Sequence, residues 1–206
     1  MNATATRLEG PVLEAIHGRR AVRAYQPTPL DEATVKTLLD AAVQAPTAMH
    51  QEPWVFVVIQ DRKMLKRFSE AAKALLADEA IRHRQLLRAP GLSPSEEHLA
   101  RLLSDPAFNI FYDAGTLIVI CARPKGAFVT ADCWLAAENL MLAAHALELG
   151  SCCIGFAVPL LNSPEVKREL QIPMDVVAVA PIIVGTPAGV TPAVPRKPPE
   201  ILSWAR

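Results

Sequence analysis

The sequence predicts a mixed fold of helices and strands in one domain, and three observations predict it. Three apolar, β-branched runs have strand length: Trp54 to Ile59, Thr116 to Cys121 and Val176 to Val184. Segments with helical periodicity separate them at irregular intervals, with no internal repeat and no linker dividing the chain. One such segment, Ala131 to Leu149, is apolar almost all round and belongs in an interior. A helix without a polar face needs cover on every side. A partner subunit can supply that cover, so a homodimer is expected; a monomer wrapped by its own helices is the alternative.

Pro11 to His17 reads as a short helix, with proline in its first turn and Gly18 closing it. Asp31 to Ala45 carries Val35, Leu38, Leu39, Ala42 and Val43 at helical spacing, and Pro46 stops it. After the first strand, Asp61 to Arg88 is a charged helix. Ala89 to Pro94 breaks it, and Ser95 to Leu103 is helical again. The apolar helix follows the second strand, with Gly150 as its expected C-cap. Cys152 to Phe156 reads as short and extended, Glu165 to Leu170 as helical, and the proline-rich tail after Gly185 as extended. Residues 77–105 are an expected lid, with a solvated helical surface as the alternative, and residues 186–206 an expected C-terminal arm.

Composition excludes several classes. The 206 residues are 51% hydrophobic, enough to bury a full core. Their 21 basic and 21 acidic side chains cancel, which argues against a nucleic-acid protein with a basic face. Met1 to Gly10 has no apolar h-region of a signal peptide. No apolar run approaches the ~18 residues needed to span a bilayer. Cys121, Cys133, Cys152 and Cys153 show neither CxxC spacing nor a histidine at a ligand-type offset, so no metal site is expected. Unpatterned thiols fit a reducing cytoplasm, each acting as a small buried hydrophobe. His17, His83, His98 and His145 read as surface or core residues.

Against this neutral background, Gly18-Arg19-Arg20-Ala21-Val22-Arg23-Ala24-Tyr25 crowds three guanidinium groups into one short stretch. Guanidinium is planar, permanently charged and able to pair bidentately with phosphate. The cluster points to a small anionic ligand, with a solvated basic turn as the alternative. Other motifs fail. There is no GxGxxG, so no separate dinucleotide-binding fold is signalled. Gly150 to Gly155 has Walker-A glycine spacing, but Phe156 stands where lysine is required. Neither HExxH nor GxSxG occurs.

Three further segments join the arginines: Ala45-Pro46-Thr47-Ala48-Met49-His50-Gln51-Glu52-Pro53-Trp54, Leu149-Gly150-Ser151-Cys152-Cys153-Ile154-Gly155-Phe156, and Gly185-Thr186-Pro187 with Pro195-Arg196-Lys197-Pro198. In this order the set resembles the nitroreductase family of flavin enzymes. That family carries an Arg-Arg-Ser-x-Arg element, a Pro-Ser-Ser-x-Asn-x-Gln-Pro-Trp turn, a Gly-Leu-Gly-x-x-x-x-Gly element and a basic pair near the C-terminus. The resemblance spans Ile16 to Trp204. It implies an α+β three-layer sandwich, a mostly antiparallel central sheet flanked by helices, in a homodimer with FMN in two interfacial clefts. It also implies that Arg19, Arg20, Ala21 and Arg23 approach FMN from one subunit, with Arg196 or Lys197 joining at the phosphate. Pro46, Thr47, Ala48 and His50 would reach it from the other subunit. Cys153, Ile154 and Gly155 would lie along the isoalloxazine, with a backbone N–H near its reactive nitrogen; a glycine there lets the backbone come close. The chain departs from the pattern at Ala21 (usually Ser), His50 (Asn), Glu52 (Gln) and Glu148 (Gly), and at Gly115, where relatives often have proline.

The implied activity is electron transfer from NAD(P)H to a small aromatic acceptor, a nitroaromatic or a quinone. The cofactor carries that chemistry, so no side chain is assigned as catalytic. Donor and acceptor would use one space in turn, a ping-pong scheme that needs no second nucleotide fold. Phe108, Phe111 and Tyr112 follow the lid and are expected to line the acceptor pocket. A flavin-binding protein without turnover is the alternative, motivated by the altered turn at His50 and Glu52; a same-fold enzyme with other flavin chemistry is a third reading.

Overall fold

Strand β2 (Thr116–Ala122) is the spine of the molecule, and every residue of it is buried. A strand buried on both faces needs cover on both sides. It pairs antiparallel with β1 (Trp54–Ile59) on one edge and β4 (Val177–Gly185) on the other. Strand β3 (Gly150–Cys153) pairs antiparallel with β4, which gives a four-stranded sheet of order β1-β2-β4-β3. The computed structural model describes residues 10–87, 94–124 and 126–205.

Side chains alternate across β2 and divide the interior into two cores. Leu117, Val119 and Cys121 face one, and Ile118, Ile120 and Ala122 the other. The first core is roofed by α3 (Arg62–Leu87), α6 (Val158–Leu161) and α7 (Pro164–Glu169), through Leu65, Phe68, Ala72, Leu161 and Val166. The second is closed by α2 (Glu32–Ala42) and α5 (Val129–Ala146), through Leu38, Ala42, Cys133, Ala137, Leu140 and Ala144. The result is the α+β sandwich of three layers that the resemblance implies. Two further helices are α1 (Pro11–Gly18), which packs on α5, and α4 (Pro94–Ser104), which packs on α3. No helix of the described residues is long and apolar enough to cross a membrane.

The boundaries have local causes. Asp31 caps α2 by accepting from Thr34 N at 2.8 Å, and the Thr34 bonds hold its carboxyl below the usual carboxylate range. Ser163 caps α7 in the same way. Gly115, just before β2, lies against the chain at Thr28 and Pro29: a Cβ there would stand 2.5 Å from backbone atoms of both. Neither proline nor any other side chain fits, which explains that departure from the family pattern.

The C-terminal end of α5 corrects the sequence reading. The helix stops at Ala146, and Gly150 is not its cap but the first residue of β3. Leu149 N donates to Ala144 O at 2.8 Å and Glu148 N to His145 O at 3.0 Å, the paired bonds of a Schellman motif. Glu148 takes the left-handed position at φ 60°, where a glycine is usual. Gly150 has a different task. A Cβ on it would stand 2.7 Å from Val22 Cγ2, so its bare backbone lets the arginine segment close on the sheet.

Helix α5 is not covered on every side by its own chain: Trp134 and Leu135 are 43% and 46% exposed on its outer face. Helix α6 was not foreseen, because four residues carry too little periodicity to read. Residues 88–93, inside the expected 77–105 lid, lie outside the described residues, and Pro94, the last residue of the expected break, begins α4. After Gly185 the described chain has no further helix or strand, apart from a bridge between Pro187 and Tyr25.

Candidate functional site

The arginine segment covers the free edge of β3. Ala21 forms a parallel bridge with Ser151, and Val22 N donates to Ser151 O at 3.1 Å. Val22 turns inward against Gly150, while Arg23, on the next residue, is left exposed. Tyr25 locks the bend by donating from its hydroxyl to Val22 O at 2.9 Å, and burial pushes its pKa far up. The C-terminal arm then returns along the same stretch: Gln26 N donates to Thr186 O and Ala188 N to Ala24 O, each at 2.9 Å.

Between segment and arm lies a cavity of about 860 Å³, bordered by Arg19, Arg20, Ala21, Arg23 and Arg196. Sequence neighbours and a residue far down the chain thus meet around one space. Lys197, its expected companion, is not among the lining residues. The four guanidinium groups are not equivalent. Arg20 Nη1 is turned back on the main chain, 2.5 Å from His17 O and 2.9 Å from Arg19 O. Arg19 Nε sits 3.3 Å from Glu138 Oε1 on α5 but makes no hydrogen bond, although the atom is buried. Arg23 and Arg196 form no ion pair among the described residues. A buried donor without a hydrogen-bond acceptor is rare in a folded chain, and here the Glu138 carboxylate alone stands near it. Sequence reasoning missed Glu138; the signal was an acid in the middle of a mostly apolar helix.

Cys153, Ile154 and Gly155 end β3 and lead into a short 3₁₀ turn, Gly155–Ala157. The Ile154 N–H is already taken by Pro181 O at 2.8 Å. The Gly155 N–H makes no hydrogen bond among the described residues, and a Cβ at Gly155 would meet nothing within 4 Å. Gly155 is therefore an open donor, whereas Ile154 is not. Burial raises all of the thiols: Cys121 to about 11, Cys133 to about 12 and Cys153 to about 11. Cys152 rises as well, with Arg23 and Arg19 opposing the effect of burial. No reactive thiolate is poised here near neutral pH.

Pro46, Thr47, Ala48 and His50 stand elsewhere, on the turn ahead of β1. Ala48 N lies 3.3 Å from both carboxyl oxygens of Asp132, in the first turn of α5. Glu138 is six residues further along that helix, about 9 Å at the usual rise. No residue of the turn lines the arginine cavity of its own chain. Met49, His50 and Glu52 all have φ in the left-handed region, between 41° and 57°.

The three aromatics separate. Phe108 and Tyr112 are half-buried and meet edge-to-face at 5.7 Å. Phe111 is a core residue, 1% exposed, with no face left for an acceptor. Their loop is bolted to α3: Ser69 Oγ accepts from Ile110 N, and the buried Lys73 Nζ donates to Asp105 O and Phe108 O.

A model of the nitroreductase family matches residues 16–186. The chain is 30% identical over 182 residues to a Methanothermobacter thermautotrophicus protein with the provisional name NADH dehydrogenase/NAD(P)H nitroreductase, covering 86% of this chain and 78% of that one. It is 25% identical over 199 residues to an FMN reductase (NADPH) of Bacillus subtilis, covering 91% and 70%. Among solved structures, a nitroreductase with bound FMN from Bacteroides fragilis superposes with a TM-score of 0.75 at 26% identity, covering 96% of this chain and 98% of that one.

Proposed function

The chain belongs to the nitroreductase family, and on that premise we propose that it is an FMN-dependent oxidoreductase, active as a homodimer, passing electrons from NAD(P)H to a nitroaromatic or quinone. The observation that carries this reading is the cavity bordered by Arg19, Arg20, Arg23 and Arg196, with the buried Arg19 Nε lacking an acceptor. A phosphate dianion fits such a donor set.

When bound, FMN would supply the redox chemistry between the nicotinamide donor and the acceptor. The chain's own residues bind and orient. Arg19, Arg23 and Arg196 hold the phosphate charge. Ala21 has no hydroxyl to add, so charge and backbone carry that contact. Gly155 offers a free N–H and an open face for a flat ring. Cys153 lies beside it with a protonated thiol and serves as apolar wall. Pro46, Thr47, Ala48 and His50 of a second copy complete the cleft, which accounts for their distance from the arginines of their own chain. Phe108 and Tyr112 border the acceptor's space.

Donor and acceptor share that space, so steady-state rates should give parallel double-reciprocal lines. The decisive experiment is the visible spectrum of FMN-loaded protein before and after anaerobic NADH or NADPH. Bleaching by either is expected. A fully loaded protein that neither donor bleaches would be a flavin binder without turnover, and intersecting kinetic lines would reject the shared pocket.

A further inference from the structure

The turn at residues 47–52 holds a shape its residues resist. Met49, His50 and Glu52 lie in the left-handed region, and none is a glycine. Such conformations persist only where the surroundings over-determine them. Ala48 has no polar side chain, and both of its backbone groups are engaged within the chain, the N–H by Asp132 and the C=O by Gln51 N at 3.2 Å, so its part is to hold the backbone of the turn in place. The anchor is Asp132. Both of its carboxyl oxygens face Ala48 N at 3.3 Å, and the residue is 4% exposed. An acid at such a position is costly to bury unless its oxygens act as acceptors. The other buried positions of α5, Cys133, Ala136, Ala137, Leu140, Met141 and Ala144, are all apolar or thiol. Gln51 backs onto Gly126, where a Cβ would stand 2.9 Å from its Oε1.

We propose that Asp132 is a positioning residue of the flavin site. By holding the Ala48 N–H it fixes the strained turn in the shape that receives the flavin bound to the neighbouring subunit's arginines. Asp132 itself does not touch the flavin. The inference rests on the FMN reading above.

The test titrates apoprotein with FMN and follows flavin fluorescence and the visible spectrum of the bound form. Asp132→Ala should raise the Kd at least about tenfold and shift that spectrum. Asp132→Asn keeps a carbonyl oxygen that accepts from Ala48 N, and should stay within about threefold of wild type. Ala48→Pro removes the same hydrogen bond from the other end and leaves α5 untouched. Thr47 is already extended, as a residue before proline prefers. It should reproduce the Asp132→Ala loss without adding to it in the double variant. Ala48→Pro carries the test if Asp132→Ala does not fold. Wild-type affinity and spectrum in both variants would overturn the inference. So would a loss in Asp132→Asn as large as in Asp132→Ala. If wild-type apoprotein takes up no FMN, the FMN reading falls and this inference with it; if wild type binds and the variants match it, only this inference falls.

Discussion

Arg19 and Arg20 are neighbours with different tasks. Arg20 spends its Nη1 on two carbonyls of its own turn, whereas Arg19 has a buried Nε with no acceptor. The phosphate contact should therefore depend more on Arg19. Arg19→Ala should weaken FMN binding at least about tenfold, roughly 1.4 kcal/mol, and Arg20→Ala distinctly less. Titration of the two apoproteins checks the order, and equal losses would show that the side chains act alike. Gly150 is the other residue whose role rests on one close contact. Gly150→Ala drives a Cβ into Val22, a stiff β-branched side chain, at 2.7 Å. Overpacking of this kind costs about 1–3 kcal/mol, read as a lower denaturant midpoint. An unchanged midpoint would mean that the arginine segment can shift at no cost.

Helix α5 gathers several of the contacts that matter at the scale of elements. Asp132 meets the turn before β1, Glu138 meets Arg19, and His145 closes on Gly18. Its end is held by a Schellman motif with a glutamate in the glycine position. The left-handed conformation costs a side chain roughly 1–2 kcal/mol, and glycine returns part of that gain as backbone entropy, about 0.5–1 kcal/mol. Glu148→Gly should therefore stabilise the chain by about 0.5–1 kcal/mol, raising Tm by about 2–4 °C per kcal/mol at this size. Calorimetry of the apoprotein checks it; a fall in Tm would point to a contact of Glu148 that outweighs the strain.

Across the whole molecule, apolar side chains remain uncovered: Val12 and Ile16 on α1, Trp134 and Leu135 on α5, and Val190, Val194, Ile201 and Leu202 on the arm. Large apolar surface of this kind marks an interface. The turn before β1 does not line the arginine cavity of its own chain, so on the proposed reading a second copy would both cover the surface and complete the site. Sedimentation at micromolar concentration should give about twice the 22.3 kDa chain mass. A monomer that keeps its flavin would contradict the shared-site arrangement.

Much of this was legible in the residue order. The run Trp54 to Ile59 is a strand with those same ends, because β-branched and aromatic residues in a short apolar run leave few other solutions. The three layers and the family followed from motifs in order, and the crowding of Arg19, Arg20 and Arg23 was visible before any contact was known. What only the tertiary structure decided depends on residues distant in sequence: Ala21 beside Ser151, Tyr25 beside Pro187, Ala48 beside Asp132. Long-range packing of the same kind buries Phe111, brings Arg196 to the cavity that the arginines border and makes Gly150 a packing residue instead of a cap. Local periodicity reports which face of an element is apolar; it carries no record of what will be packed against that face, and at this site the packing assigns each residue its task.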